Sequence, residues 1–410
     1  MSDNFWDVVV VGAGAAGLLA AIRAAERNRR TLLLEKNRKP GVKILMSGGT
    51  RCNITHATDN RGIVEAFGPP GKFLHSSLAP LSVQATIDLF EAEGVPTKVE
   101  ETGKVFPVSN KAADVLDALL RRLHRSGAVL ALGEPLVDVK RSERGFALTT
   151  PHRVLGARRV VLTVGGQSYP GCGTRGDGYG IAAGMGHTIV EPRPALVPLT
   201  LASPWIAQLR GVTLPDVIVG VWEEKEKLAG RRGSLLFAHF GLSGPVILDV
   251  SRVVSRHPLP NQLMLEVDLL PGIKAVALDE FLRQQAIDCG KKLLGGVLAA
   301  HLPRRLCDML LTQAGLPVER TAAGLSKPDR TRLVMSIKQL RLPITGTLGF
   351  GKAEVTAGGV ALDEVDSRSL ESKKEPGLFI AGEILDLDGP IGGYNFQSAF
   401  STGWLAGESV

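Results

Sequence analysis

Three glycines near the N-terminus have the spacing of a dinucleotide-binding loop. Gly12, Gly14 and Gly17 form a G-x-G-x-x-G pattern directly after four consecutive valines at residues 8–11. The first glycine permits a tight turn, the second lets a pyrophosphate approach the backbone, and the third lets the following helix pack closely on the strand. Glu35 ends the next apolar run, where a carboxylate accepts hydrogen bonds from a ribose diol. The pattern predicts a strand–helix–strand unit whose helix N-terminus binds the phosphates of a dinucleotide.

A second group of polar residues and glycines follows this unit. The segment 36–55 combines cations and small hydroxyl residues with the pair Gly48–Gly49, and it contains Arg51, Cys52 and Asn53. Backbone N–H groups and cations in such a loop can bind dinucleotide phosphates and contact a flavin ring. A basic surface loop would have a similar composition, but the paired glycines beside Arg51 and Asn53 favour the binding role.

The overall composition is that of an ordinary folded protein. The 410 residues include 22% charged and 44% hydrophobic residues, enough for about two or three domains with substantial cores. The acidic N-terminus enters a strand at once and no apolar run approaches roughly eighteen residues, so neither a signal peptide nor a membrane span is expected. Four cysteines without disulfide or zinc spacing predict a cytoplasmic protein without a metal site.

Residue periodicity predicts the elements around the two polar groups. Helices are expected at 76–94, 112–126 and 178–186, and strands at 129–132, 136–140, 146–149 and 159–164. A second G-x-G-x-x-G match, at Gly171, Gly173 and Gly176, follows a Ser-Tyr-Pro segment rather than a strand. It is therefore interpreted as a loop leading to a helix and not as a second nucleotide site.

The texture of the chain changes near residue 192. Frequent prolines and strand-like segments at 217–222 and 263–269 predict an inserted β domain. Residues 275–342 have a helical pattern, and the chain is expected to return to strands at 348–356. The helical segment is rich in cations, namely Lys291, Lys292, Arg304, Arg305, Lys327, Arg330, Arg332, Lys338 and Arg341.

One run of residues carries a specific family resemblance. Residues 39–53 read Lys-Pro-Gly-Val-Lys-Ile-Leu-Met-Ser-Gly-Gly-Thr-Arg-Cys-Asn. This run resembles the signature of the BaiN/RdsA family of FAD-dependent oxidoreductases, flavoproteins also described as aminoacetone oxidase-like. The segments 103–111 and 235–245 also resemble family motifs, and 377–383 resembles the C-terminal FAD fingerprint. The resemblance covers essentially the whole chain.

The resemblance implies an α/β fold in which a Rossmann-like FAD-binding domain is built from both chain ends. A β-rich, barrel-like domain and a small helical domain are inserted into it. The expected boundaries are 1–191 for the N-terminal part of the FAD-binding domain, 192–272 for the β-rich domain, 273–343 for the helical insertion and 344–410 for the C-terminal part of the FAD-binding domain.

The same resemblance implies the cofactor site. Glu383 would bind the ribityl hydroxyls, although many flavoproteins have the shorter aspartate there, and the last helix would stabilise negative charge on a reduced flavin. NAD(P)H is expected as an electron donor that docks only transiently. The expected cofactor-binding residues are Gly12, Gly14, Ala15, Ala16, Gly17, Glu35, Lys36, Lys43, Ser47, Gly48, Gly49, Arg51, Cys52, Asn53, Gly165, Gly166, Gly382, Glu383, Gly392, Gly393, Tyr394 and Asn395.

Two residues are candidates for moving a proton. Cys52 lies in the glycine loop beside Arg51, and a thiol over the flavin could protonate the carbon next to one that receives hydride. The alternative is that Cys52 is a small buried residue of the loop. His239 lies in a motif of the β-rich domain and is either a proton relay or a histidine satisfied within a packed turn.

Three functions remain open at this point. The first is reduction of an activated C=C bond, and the activities proposed within the resembled family include dihydrouridine formation in ribosomal RNA and reduction of a steroid enone. The second is oxidation of an amine by O₂, and the third is a flavin-bearing RNA-binding factor. The net charge of +7 and the cationic helices favour RNA, which would bind at the helical insertion, although such faces are usually only solvated.

Overall fold

A computed structural model of the chain describes residues 4–410 and divides them into two units. The first unit contains residues 4–194 and 354–410, and the second contains residues 195–353. Both chain ends therefore contribute to one α/β unit, which confirms the predicted fold class. No helix in the described part of the chain has the length and apolar character needed to cross a membrane.

The elements are numbered in chain order. Among residues 4–410 the strands are β1 (Phe5–Val11), β2 (Thr31–Glu35), β3 (Thr55–His56), β4 (Thr97–Val99), β5 (Lys104–Pro107), β6 (Val129–Leu132), β7 (Asp138–Ser142), β8 (Gly145–Thr149), β9 (Val154–Leu162), β10 (Ile189–Ala195), β11 (Leu199–Leu201), β12 (Thr213–Glu223), β13 (Glu226–Ala238), β14 (Gly241–Ser243), β15 (Leu263–Asp268), β16 (Leu340–Thr347), β17 (Val355–Val360) and β18 (Leu378–Ile380). The helices are α1 (Ala15–Glu26), α2 (Val42–Thr50), α3 (Asn60–Ala66), α4 (His75–Leu78), α5 (Val83–Ala92), α6 (Ala112–Ser126), α7 (Asp177–Gly184), α8 (Pro245–Arg256), α9 (Ala275–Asp288), α10 (Leu294–Leu298), α11 (Arg304–Gln313), α12 (Lys327–Lys338) and α13 (Tyr394–Ser409).

The first unit is organised around a sheet with the strand order β6-β2-β1-β9-β8-β7, and β18 also pairs with β9. Strand β1 runs parallel to both β2 and β9, and its four valines are buried, as β-branched residues are in a strand covered on both faces. Helices α1 and α13 approach closely, because a Cβ on Gly403 would lie 2.2 Å from the carbonyl oxygen of Ala16. This packing brings the last helix against the helix of the glycine loop.

The second unit contains a closed antiparallel barrel with the strand order β11-β14-β13-β12-β15-β16. Alternate residues of β12 and β15 point inward and are buried, among them Val217, Val219 and Leu265. Helices α9–α12 lie in sequence between β15 and β16. The sequence places the end of the β-rich domain at residue 272, whereas β16 completes the barrel by pairing with β15 and β11. Pairing between strands this far apart in sequence leaves no local periodicity to read.

Two predicted elements of the first unit differ from the structure. The helix predicted at 76–94 is two helices, α4 and α5, because the Ser82 hydroxyl accepts a hydrogen bond from the Ala85 N–H at 3.1 Å and starts a new helix. The strand predicted at 348–356 begins only at Val355. The predicted helix at 112–126 and the strand at 129–132 are confirmed at both ends.

Candidate functional site

The glycine loop connects β1 to α1 and is shaped by two different constraints. A Cβ on Gly12 would lie 2.7 Å from the Thr163 carbonyl oxygen, and a Cβ on Gly17 would lie 1.8 Å from the Gly12 carbonyl oxygen. These two glycines are required by packing within the protein. A Cβ on Gly14, by contrast, would have no atom within 4 Å. The open side of the loop is therefore at Gly14, where the predicted pyrophosphate would approach.

The N-terminus of α1 faces this open side. Gly14 is the N-cap residue of α1 and no side chain caps the helix, so its first N–H groups, which include those of Ala15 and Ala16, remain suited to an anion. Gly382 also lies here, because its Cβ would be 2.8 Å from the Ala16 Cβ. The fold thus brings the predicted C-terminal segment to the start of α1.

Glu35 is buried at the end of β2 and its carboxylate is fixed by backbone groups. Oε2 accepts a hydrogen bond from the Ala13 N–H and Oε1 accepts one from the Asn37 N–H, both at 2.8 Å. Each oxygen keeps a free acceptor position for a ribose hydroxyl. The neighbouring Lys36 forms an ion pair with Asp177, so its ammonium group is already engaged.

The segment after β2 is a short helix with an interruption rather than a continuous loop. Helix α2 contains non-helical residues at Ser47, Gly48 and Gly49, and both glycines have positive φ. Cys52 also has a positive φ, 59°, which is unusual for a residue other than glycine and is typical of sites where backbone strain serves function. The predicted flavin loop is therefore an ordered, strained turn.

Cys52 and Asn53 have surroundings that suit different roles. Cys52 is fully buried, and burial raises the pKa of its thiol to about 12 despite a smaller lowering by a hydrogen bond to Ser47. The thiol is therefore protonated at neutral pH. Asn53 is buried too, and its Oδ1 has no hydrogen-bond partner among residues 4–410. An acceptor in this position is suited to a donor group on a ligand.

Lys43 and Glu383 form the centre of a hydrogen-bond network. The Lys43 ammonium lies 2.8 Å from Ser168 Oγ and from Glu383 Oε1, and 2.5 Å from Glu383 Oε2. Its three donors therefore all have acceptors within the protein. Lys43 therefore orients Glu383, and its direct contact with the cofactor stays a prediction.

The two oxygens of Glu383 are unequally satisfied. Oε1 also accepts hydrogen bonds from Ser168 Oγ at 2.8 Å and from the Thr356 N–H at 2.9 Å, so it has three donors. Within residues 4–410, Oε2 accepts a hydrogen bond only from Lys43, and it keeps acceptor capacity for the ribityl hydroxyl predicted there. Gly166 packs directly against Thr356, because a Cβ on Gly166 would lie 2.4 Å from Thr356 Oγ1. Gly165 precedes it with a positive φ.

The last helix begins beside the flavin loop. Gly393 is the N-cap residue of α13 with φ of 99°, and a Cβ there would lie 2.4 Å from the Thr55 carbonyl. Asn395 shapes the preceding turn, since it accepts a hydrogen bond from the Gly389 N–H at 2.8 Å and donates to the Gly389 carbonyl at 3.0 Å. Gly392 is held by His56, whose Nδ1 lies 3.1 Å from the Gly392 carbonyl oxygen.

Several residues of this site were missed by the sequence reasoning. His56 stacks on Tyr394 with ring centroids 4.5 Å apart. Ser168 and Thr356 orient Glu383, and Gln397 accepts a hydrogen bond from Thr55 Oγ1 at 2.6 Å. These residues come from distant segments, so no local spacing marks them. Only the position of Ser168 just after Gly165 and Gly166 offered a signal.

Arg51 and His239 each make contacts within their own unit. The Arg51 guanidinium lies 3.9 Å over the ring of Phe106 and 2.7 Å from Glu100. His239 belongs to the second unit, where it is exposed on the turn between β13 and β14 and contacts the ring of Phe240. Its assignment as a proton relay stays a prediction.

The cationic helical segment of the second unit is largely neutralised by acids. The cations that pair with a carboxylate are Arg304 with Asp308, Arg330 with Asp279, Arg332 with Asp329, Lys338 with Asp268 and Arg341 with Glu266. Arg305 donates to the carbonyl groups of Gln208 and Arg210. Most of the charge expected to attract RNA is therefore used within the unit.

Four features of the site fit FAD along its length. They are the glycine loop, the buried Glu35, the unpartnered Asn53 oxygen and the spare acceptor on Glu383. Fold and site together define a flavoprotein oxidoreductase. The chain belongs to the HI0933-like family, whose Rossmann-domain model matches residues 6–409. The family membership predicted from residues 39–53 is confirmed.

Curated relatives match almost the whole chain. The chain is 34% identical over 408 residues to an Escherichia coli (strain K12) protein named ribosomal RNA dihydrouridine synthase, a match that covers 99% of this chain and 98% of the relative. It is 32% identical over 404 residues to the 3-dehydro-bile acid delta(4,6)-reductase of Clostridium scindens, with 98% of each chain covered.

Solved structures share the fold at low sequence identity. The 3-ketosteroid-delta4-(5alpha)-dehydrogenase from Rhodococcus jostii RHA1 is similar with a TM-score of 0.53 and 15% identity over 99% of this chain and 97% of that one. A flavocytochrome c3 fumarate reductase gives a TM-score of 0.51 and 16% identity over 99% of this chain and 78% of that one. These similarities concern the fold alone.

Proposed function

We propose that the protein uses NAD(P)H and bound FAD to reduce an activated C=C bond, and that its substrate is a uridine of ribosomal RNA, which becomes dihydrouridine. The buried, protonated thiol of Cys52 within the strained flavin loop carries this proposal. Reduction of a C=C bond requires a hydride on one carbon and a proton on its neighbour, and burial keeps on the Cys52 thiol the proton that this second task uses.

The protein residues have separate tasks in this scheme. A reduced flavin supplies the hydride equivalent when it is bound. Glu35 and Glu383 hold the two ends of the cofactor, and the Cys52 thiol gives its proton to the carbon next to the one that is reduced. The thiol then recovers a proton from solvent. The hydride is replaced by oxidation of NAD(P)H, so atoms and electrons balance over the cycle.

The choice of substrate is supported by the relative named ribosomal RNA dihydrouridine synthase. A uridine substrate implies that the protein acts in the cytoplasm. A small-molecule enone is the second candidate, because the relative named 3-dehydro-bile acid delta(4,6)-reductase is nearly as similar. Both candidate substrates contain a conjugated C=C bond. Hydrogen peroxide release with an amine would instead support an amine oxidase.

The test is deletion of the gene followed by mass-spectrometric mapping of dihydrouridine in ribosomal RNA. We expect one modification to disappear and to return when the wild-type gene is restored. Cys52→Ala should fail to restore it, whereas Cys289→Ala, which removes an exposed thiol of the second unit, should restore it fully. An unchanged dihydrouridine profile in the deletion strain would reject the RNA substrate.

Anaerobic mixing tests the electron donor separately. NADH or NADPH should bleach the flavin absorbance of the purified holoprotein in the absence of any substrate. Cys52→Ala should be bleached at a similar rate, because a proton donor for the substrate has no part in this half-reaction. Failure of both nucleotides to reduce the flavin would contradict the proposed donor.

A further inference from the structure

The small sheet β3-β5-β4 carries basic and flat side chains on one face. His56 lies directly opposite Lys104, and Phe106 lies directly opposite Lys98. Opposite residues of antiparallel strands share a face, and so do Lys104 and Phe106, which are two apart on β5. These four side chains therefore project from the same side of the sheet.

Two further flat groups extend this surface. The Arg51 guanidinium covers the Phe106 ring at 3.9 Å and leaves 38% of its own side chain exposed. The Tyr394 ring stacks on His56 with an angle of 20° between the planes. We call the surface formed by Arg51, His56, Lys98, Lys104 and Tyr394 the β3–β5–β4 face.

The two lysines of this face are open to an external anion, whereas Arg51 is paired with Glu100. Lys98 and Lys104 have no acidic partner within ion-pair distance among residues 4–410. Burial lowers the pKa of His56 most strongly, a hydrogen bond to Gly392 raises it, and the Lys104 charge lowers it further. His56 is therefore uncharged at neutral pH, and its ring is a flat surface between cations.

The face adjoins the cofactor segments of the first unit. His56 Nδ1 contacts the Gly392 carbonyl at 3.1 Å, and β3 follows directly after the loop that contains Cys52 and Asn53. A nucleotide bound on this face would contact residues that are bonded to, or adjacent in sequence to, these cofactor segments. Single-stranded RNA is recognised by cations on its phosphates and by flat side chains on its unstacked bases, which matches this combination of groups.

We propose that the β3–β5–β4 face binds the single-stranded RNA segment that flanks the reduced uridine. Lys98 and Lys104 contact phosphates, and the His56–Tyr394 pair stacks with a neighbouring base. The proposal rests on the proposed RNA substrate and assigns it a location in the first unit rather than on the cationic helices. Unpaired RNA is required, because bases inside a duplex do not expose their faces.

Fluorescence anisotropy of the FAD-loaded protein with a short labelled oligouridylate tests the proposal. Lys98→Ala/Lys104→Ala should weaken binding about tenfold and reduce the slope of log affinity against log salt by about 1.4, that is about 0.7 for each lost phosphate contact. Lys225→Ala/Lys274→Ala removes the same charge from exposed sites of the second unit and should leave both values unchanged. Equal effects of the two double variants would overturn the proposal.

The stacking contribution is tested at His56. His56→Ala should weaken binding roughly fivefold to a hundredfold without changing the salt slope, because stacking displaces no phosphate counterion. His56→Phe keeps a flat ring and should restore the affinity, which separates stacking from a loss of folding. Weak binding by His56→Phe with a normal FAD content would overturn the stacking role.

Complementation of the deletion strain separates this proposal from the proposed function. Loss of dihydrouridine that is restored by wild type but poorly by Lys98→Ala/Lys104→Ala supports both. Full restoration by this variant, together with failure of Lys291→Ala/Lys292→Ala, overturns the face and leaves the function intact. A dihydrouridine profile unchanged by the deletion overturns both.

Discussion

Cations of the helical segment and cations of the β3–β5–β4 face lie in different surroundings. In the helical segment, Arg330 lies 2.6 Å from Asp279 and Lys338 lies 2.7 Å from Asp268. On the β3–β5–β4 face, Lys98 and Lys104 have no acid within ion-pair distance in the described part of the chain. The helical segment thus has more cations, but a smaller share of them is unpaired.

The difference shows that pairing, rather than cation density, decides where an anion is attracted. A carboxylate beside a cation cancels much of its field, and salt screens the remainder within about 8–10 Å. An unpaired lysine keeps its field for a phosphate. The same contrast holds for other polar groups, since Asn53 and Glu383 in the first unit keep unused acceptors, whereas Lys338 is fully bonded within the second.

Thiol labelling should give the largest difference between the two units. With its pKa raised to about 12, Cys52 has a thiolate fraction of about one in ten thousand at pH 8, and it is buried as well. Cys289 is exposed in the second unit. We expect iodoacetamide to modify Cys289 at least about a thousandfold faster than Cys52 in the native protein, as measured by peptide mass spectrometry.

The sign of the pH dependence follows from the raised pKa. Because folding keeps the Cys52 thiol protonated, its stabilising contribution is complete below the unfolded pKa of about 9 and is lost as the pH rises towards 12. Wild type should therefore lose stability between pH 9 and pH 11 more steeply than Cys52→Ser. Rapid labelling of Cys52 at pH 8 would contradict its assignment as a protonated donor.

A pair of charge deletions should separate cofactor binding from stability. Glu383→Ala in the first unit and Lys338→Met in the second each leave one partner of a partly buried ion pair alone, and each should lower the free energy of unfolding by about 2 kcal/mol. Only Glu383→Ala removes an acceptor that faces the predicted flavin. We therefore expect it to lose most of its FAD during purification, measured as flavin absorbance per protein.

Lys338→Met is the matched control for this loss. Its ammonium bonds the carbonyls of Leu270 and Ile273 at 2.6 Å, so its removal should destabilise the second unit and leave FAD content and RNA affinity unchanged. Full retention of FAD by Glu383→Ala, or an equal loss in both variants, would contradict the contrast between Glu383, which keeps an unused acceptor, and Lys338, which is fully bonded within the protein.

The elements that could be predicted from the sequence are those determined by residues close to one another in the chain. The glycine spacing at Gly12, Gly14 and Gly17 and the helical periodicity of 112–126 both depend on adjacent turns, and the structure confirms these elements. The break at Ser82 was missed, because its capping hydrogen bond competes locally with an apolar pattern that continues past it.

The remaining features depend on partners far away in the chain. Arg330 and Asp279 are separated by 51 residues, so nothing in the cationic helices indicated that their charge would be cancelled. His56 gains its place on the β3–β5–β4 face only through strand register and the start of α13. Such contacts follow from the tertiary fold, which local patterns do not specify.

Substitution of Arg304 should have the smallest effect. It tests the expectation from the sequence that RNA binds at the helical insertion. Arg304 forms an exposed pair with Asp308 one helical turn away, and pairs of this kind contribute about 0.3–0.5 kcal/mol. Arg304→Gln should therefore change the free energy of unfolding by less than about 0.5 kcal/mol. Since its charge is already paired, it should leave oligouridylate affinity within about twofold of wild type. Arg305 is a poor choice for the same test, because its guanidinium binds backbone carbonyls of the barrel unit. A loss of affinity in Arg304→Gln comparable to that of Lys98→Ala/Lys104→Ala would return the RNA site to the helical segment.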